Sequence, residues 1–254
     1  MILLLLIIFA ALFLVVGGDR GAMALVTLIG NIVVFIFSIY IMALGVNPII
    51  ITLLASLAIN AITLFYQNGK NRKTKAAFVS VVSVTLGLLI FMVIFLTRMQ
   101  LYGLNEIELQ SDLSLYYSFN VHVNMELVLL CVVIICFLGA IMDTAMAVSS
   151  GLFEVHENNK ELSEHELYRS GITIGKDILN TTLNTLFFAY CGEAIMLFLY
   201  LVKYQFSFVR IINSKTFLLE FTTIVMSAIG CVIIIPLCAK ITAAFIKRDT
   251  MSNE

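Results

Sequence analysis

Two carboxylates inside apolar stretches are the side chains of this sequence best placed to do chemistry. Asp143 sits within Leu138-GAIMDTAMAVSSGLF, and Asp177 within Gly175-KDILNTTLNT, which continues to Tyr190 and Glu193. Both stretches belong to runs long enough to cross a bilayer, where about 20 apolar residues suffice. An Asp at the centre of such a helix costs about 2.5–3.5 kcal/mol on insertion scales, so it marks a proton, ion or substrate route by default. Around it the second stretch supplies Asn180, Thr181, Thr182, Asn184 and Thr185. Hydroxyls and amides there often serve only to bond neighbouring helices, at roughly 0.6–2 kcal/mol each. For the threonines that packing role is the weightier reading. For Asp143 the balance reverses, because a neutral residue would pack better at lower cost.

Spacing gathers these residues onto faces. Asp143, Met146, Ala147 and Ser150 follow the i, i+3, i+4, i+7 pattern of one helix face, and Asp177, Asn180, Thr181 and Asn184 repeat it on the next helix. Asp143 lies about nine residues from the inner end of its run, roughly 13 Å along the axis. The same depth on the following helix falls near Thr181 to Asn184. Packed side by side, the pair would set the carboxylate against a polar band, with Tyr190 and Glu193 extending the line outward. The small residues Gly139, Ala140, Ala145, Ala147 and Gly151 permit close approach. Lys176 and Asp177 lie near the interface, where snorkelling and N-terminal capping explain them almost as well as a functional role, so Asp143 ranks first; Lys240 reads as a cation reaching toward the interface. A pairing of Lys240 with Asp143 or Glu154 is the lesser reading.

The elements that must position this pair are membrane helices. Of 254 residues, 61% are hydrophobic and 12% charged, and the mean hydropathy is +1.05. No water-facing surface could be built from that composition, so the predicted fold class is all-α, a polytopic transmembrane bundle forming a single domain over 1–254. Seven apolar runs are predicted as spans, at about 1–16, 23–44, 48–66, 77–97, 126–152, 175–203 and 217–246. The first begins directly after Met1 with no positive region ahead of it, which argues for a short helix and against a secretory signal. Net charge is -1, and no basic run is long enough to engage nucleic acid. The cysteines, Cys131, Cys136, Cys191, Cys231 and Cys238, all fall in apolar runs without a CxxC pair, so free thiols are expected, and neither disulfides nor a metal site.

Charge in the connecting loops sets an orientation. Asn68-GKNRKTK carries four Lys/Arg residues and is expected on the cytoplasmic side. Alternation then places the N-terminus outside and the C-terminus inside, in agreement with Arg20, Lys247 and Arg248. Between Arg98 and Met125 the acidic Glu106, Glu108 and Asp112 are expected outside. The basic loop containing Lys203, Arg210 and Lys215 is also placed outside, against the charge rule. Glu154-VHENNKELSEHELYRS spaces Leu162, Leu167 and Tyr168 among glutamates, which predicts a short amphipathic helix on the cytoplasmic surface between helices five and six. His156 and His165 lack the spacing of a metal site and read as part of its solvated face.

Gly139-AIMDTAMAVSS, Glu166-LYRSGITIGKDI and Asn184-TLFFAYCG, with the Gly17-Gly18 and Gly45-VNP punctuation, resemble the YibE/F family of bacterial multipass membrane proteins in order and spacing. The sequence looks like a short, YibF-like member. Lys176 stands where the family usually has arginine, and Asn180-Thr181 where Gly-Thr is typical. The resemblance implies a bacterial cell membrane and a hetero-oligomeric partner, a longer YibE/F-type chain. A weaker, fold-level likeness is to half-transporters of the RND type such as SecF.

Two functional readings follow. One is a subunit of a proton-coupled transporter or exporter that uses Asp143, with Asp177, Asn180, Thr181, Asn184, Thr185, Tyr190 and Glu193 as further candidates. The other is a non-transporting assembly or scaffold subunit, in which the polar band only fixes helix packing. No catalytic group, cofactor or metal is expected: no Ser/His pair or GxGD motif is present, and the three histidines lie in loops.

Overall fold

A computed structural model describes residues 1–99 and 125–252. All described elements are helical. In chain order they are α1 (Ile2–Ala43), α2 (Pro48–Ala61) prolonged by a π-helical turn (Ile62–Gln67), α3 (Arg72–Met99), α4 (Met125–Asn158), α5 (Glu164–Lys203), the short α6 (Phe208–Ile212) and α7 (Lys215–Ser252). Six of these stretches are long and apolar enough to cross a membrane. The acidic segment predicted to lie outside, with Glu106, Glu108 and Asp112, falls outside the described residues.

The helix boundaries have local causes. Pro48 opens α2 behind Asn47, whose side chain accepts from the Ile49 backbone N–H at 3.0 Å. The π turn that closes this span is held by Asn31 of α1, which donates to the Thr63 hydroxyl at 2.9 Å, and by Asn68, which donates to the Thr63 carbonyl at 3.1 Å. Gly69 then turns the chain with φ 78°. The hydroxyl of Ser149 on α4 donates to the Lys73 carbonyl at 2.8 Å, fastening the C-terminal half of α4 to the first turn of α3.

The runs predicted at 1–16 and 23–44 are the two helical arms of α1, joined directly across a kink at Gly18, with φ 54° and ψ -134°. The bend is sharp enough to bury Gly21 against the Phe13 carbonyl, and a side chain at Gly21 would collide there. One expectation about the elements needs correction: the predicted surface helix is not a separate element. Ser163 and Glu166 form a capping box: the Ser163 hydroxyl accepts from the Glu166 N–H at 3.3 Å, and the Glu166 carboxylate accepts from the Ser163 N–H at 2.8 Å. A helix started so firmly, with no breaker before the apolar run, continues unbroken to Lys203. The amphipathic residues therefore become the first turns of α5, just as Glu154 to Asn158 become the last turn of α4.

At the centre of the bundle stands α4, in contact with α2, α3, α5 and α7, while α1 touches only α2 and its π turn among the strongly packed pairs. Ile134, Phe137, Leu138 and Ile141 of α4 meet Val81, Leu88 and Met92 of α3 and Ile234 of α7 in one core. In a bilayer that core is held by close packing, since lipid is as apolar as leucine. Glycines bring the backbones together where α5 crosses α7 and α4: a Cβ on Gly171 would lie 2.8 Å from both Ala239 Cβ and Leu152 Cδ1, and one on Gly175 would strike Ile235. Pro236 lies within α7, which runs through it without interruption. The bundle thus forms around α4, α5 and α7, the helices that carry Asp143, Asp177, Glu193 and Glu220.

Candidate functional site

The register of α4 against α5 follows from contacts at either end. Toward the C-terminal end of α4 a Cβ on Gly151 would lie 3.1 Å from Ile174 Cδ1; toward its N-terminal end Cys136 comes within hydrogen-bonding reach of Tyr190. The helices are antiparallel, so Asp143 stands level with Thr182, between Thr181 and Asn184.

Depth is shared, but no hydrogen bond joins the two sides. Asp143 is exposed on the outside of the bundle and bonds to none of the described residues, whereas the next residue, Thr144, points inward and is 1% exposed. The Asp143 carboxylate lies within electrostatic reach of Cys231 on α7. Met146, Ala147 and Ser150, predicted to share its face, are half-buried.

On α5 the buried line runs through Leu167, Gly171, Gly175, Tyr190 and Ala194. Asp177, Asn180 and Asn184 fall on the opposite side of the helix and are exposed, with Lys176, Thr181 and Thr185 on its flanks, also exposed. The two threonines satisfy themselves within the helix: Thr181 donates to the Ile178 carbonyl at 2.8 Å and Thr185 to the Thr181 carbonyl at 2.9 Å. The side chains of Asp177, Asn180 and Asn184 have no such partner among the described residues. Lys240 lines a groove with Glu164, His165 and Tyr168 toward the C-terminal end of α7, and pairs with neither Asp143 nor Glu154.

Tyr190 and Glu193 belong to a second group, in the C-terminal half of α5. Tyr190 is buried, with its hydroxyl 3.1 Å from Ser227 Oγ on α7. Glu193 is exposed on α5 and lies within electrostatic reach of Glu220 on α7 and of Cys136 on α4. Three helices thus contribute to one polar group. Of its members, Cys136, Glu220 and Ser227 escaped the sequence reading. Glu220 carried the signal that marked Asp143, an acid inside an apolar run, here Phe217-LLEFTTIVM.

A third polar feature was also missed. Thr52, Ser56 and Asn60 recur every four residues along the buried face of α2, and Asn60 Oδ1 and Thr85 Oγ1 of α3 are buried without a hydrogen bond in the described residues. In a dry interior such oxygens call for water. The four-residue spacing in Thr52-LLASLAIN could have exposed this row.

Taken together, the fold and these sites define an all-α membrane protein whose central helices carry carboxylates within long apolar stretches. The family model described as YibE/F-like protein matches residues 5–248, nearly the whole chain. The chain belongs to the YibE/F-like family. Neither a curated protein nor a solved structure matches it.

Proposed function

We propose that this chain is a subunit of a proton-coupled transporter or exporter in the bacterial cell membrane, with Asp143 as the proton-carrying group. The observation that carries the reading is the placement of Asp143. It lies within the helix packed against most others in the bundle, yet its carboxylate opens to the outside of the bundle and bonds to no described residue. A carboxylate there is costly in lipid and adds nothing to packing, which favours a working group that meets water, substrate or a partner chain. The family resemblance supports a longer YibE/F-type chain as that partner, and loop charge supports an outer N-terminus and an inner C-terminus. Glu193 and Glu220, with Tyr190, offer a second station toward the outside. No catalytic chemistry is assigned.

The alternative, a scaffold subunit, draws support from Thr181 and Thr185, whose hydroxyls bond back to their own helix and line no route. The two readings separate under substitution. A strain deleted for this gene is challenged with panels of ions and toxic compounds across external pH, then complemented with wild type or Asp143→Asn at matched membrane abundance. A transporter subunit loses complementation in Asp143→Asn while its abundance and assembly stay normal. Full complementation by the variant refutes the proton-carrying role.

A further inference from the structure

We propose that the outward face of α5 is an interface between two copies of this chain, with Asn180 and Asn184 pairing across a two-fold axis parallel to the membrane normal. The argument starts from the difference between threonine and asparagine in a helix interior. Thr173, Thr181 and Thr185 each return a hydroxyl proton to their own helix, at 3.1, 2.8 and 2.9 Å. Lipid can cover groups satisfied in this way. An amide carries two donor hydrogens and an accepting oxygen, so a single bond back to a carbonyl of its own helix would leave the rest of it unsatisfied. Four asparagines elsewhere in the chain find donor contacts: Asn31 and Asn68 bond Thr63, and Asn158 and Asn213 bond the carbonyls of Glu154 and Val209 in the last turn of a helix; Asn60, whose oxygen is unpaired among the described residues, is enclosed within the bundle. Asn180 and Asn184 are exposed, lie deeper in the membrane than Asp177, and make no side-chain hydrogen bond to any described residue. Unsatisfied polar groups in hydrocarbon are costly enough that protein is the expected cover.

The chemistry of the face favours a second copy over a different chain. A two-fold axis along the membrane normal sets each residue opposite its own equivalent at one depth. An amide facing an amide is self-complementary, because each both donates and accepts. One turn nearer the cytoplasmic end, Lys176 and Asp177 stand side by side, exposed, without an ion pair among the described residues. The same axis brings the lysine of one copy to the aspartate of the other, so the face is complementary to itself in charge as well. Farther out on the same line, exposed Phe188 adds apolar contact, and Gly192, where a Cβ would meet nothing within 4 Å, keeps the face open.

Cross-linking in native membranes tests this. Single cysteines replacing Asn180 or Asn184, with the five native cysteines substituted, are oxidised with copper phenanthroline beside inward controls at Thr182 and Leu186. The expected result is a covalent homodimer from the outward positions and none from the controls, with two differently tagged copies recovered together. Because the cysteine-free background can fail to fold, the otherwise native chain carrying one terminal fluorophore is also counted by photobleaching in liposomes of falling protein density. Two bleaching steps are expected, and Asn180→Leu with Asn184→Leu should weaken association tenfold or more. Single steps at every density, cross-links only to a different protein, or a dimer that the double substitution leaves intact would each overturn the proposal.

Discussion

Asp143 and Thr144 are neighbours on α4 that face different worlds. The Thr144 hydroxyl is buried in the bundle, donating to the Ala140 carbonyl at 2.8 Å with Cys231 Sγ at 3.9 Å, while the Asp143 carboxylate stands outside the bundle with no bond to the described residues. One residue step turns the helix by about 100°, so the packing of α4 admits the weakly polar residue and leaves out the strongly polar one. The stability consequences differ accordingly. Asp143→Leu should leave the thermal stability of the detergent-solubilised chain unchanged or raise it, since insertion scales assign the aspartate a cost of about 2.5–3.5 kcal/mol. Thr144→Leu should destabilise by about 1–3 kcal/mol through overpacking. A large loss of stability in Asp143→Leu would instead make Asp143 a packing residue and weaken its assignment as a proton carrier.

Gly175 is the tightest point of the α5–α7 contact, because any Cβ there strikes Ile235. Gly175→Ala is therefore expected to cost about 1–3 kcal/mol. The clash involves the branched end of one side chain, so Ile235→Ala in the same chain should recover part of that loss. A double-mutant cycle measured by unfolding in micelles should show a coupling of about 0.5–3 kcal/mol. Strict additivity would mean that the two helices do not meet at this residue in the membrane.

The proposed orientation makes the α2–α3 turn cytoplasmic and the α5–α7 connection external. Lys70 and Arg210 are exposed in these two segments. Cysteine introduced at Lys70 should react with an impermeant maleimide only after permeabilisation, and cysteine at Arg210 should react in intact cells. Arg210 is the more demanding probe, because basic residues at Lys203, Arg210 and Lys215 run against the charge rule on that side. Labelling of both from one side would reject the orientation.

Composition and run length were enough to establish an all-α membrane bundle, because backbone groups in lipid must be satisfied within helices and only apolar runs tolerate that solvent. The start of α2 at Asn47-Pro48 was equally legible, since Pro at the first helical position and an Asn cap act locally. Depth was legible too: counting residues along two antiparallel helices brings Asp143 level with Thr182. The direction in which a side chain points was not. The sequence shows that Asp143, Thr144 and Asn184 lie on helices, but which face of each helix is buried depends on where Gly171 and Gly175 let α5 approach α7, and that is a property of the packed bundle. The same holds for Glu220 and Glu193, brought into electrostatic reach by helices that the sequence alone gives no reason to pair. Local chemistry therefore determined the helical class, the start of α2 and the relative level of Asp143 and Thr182. Only the tertiary structure decided which polar groups are enclosed and which are left for lipid, water or another chain to cover, because burial is settled by close packing between helices distant in sequence.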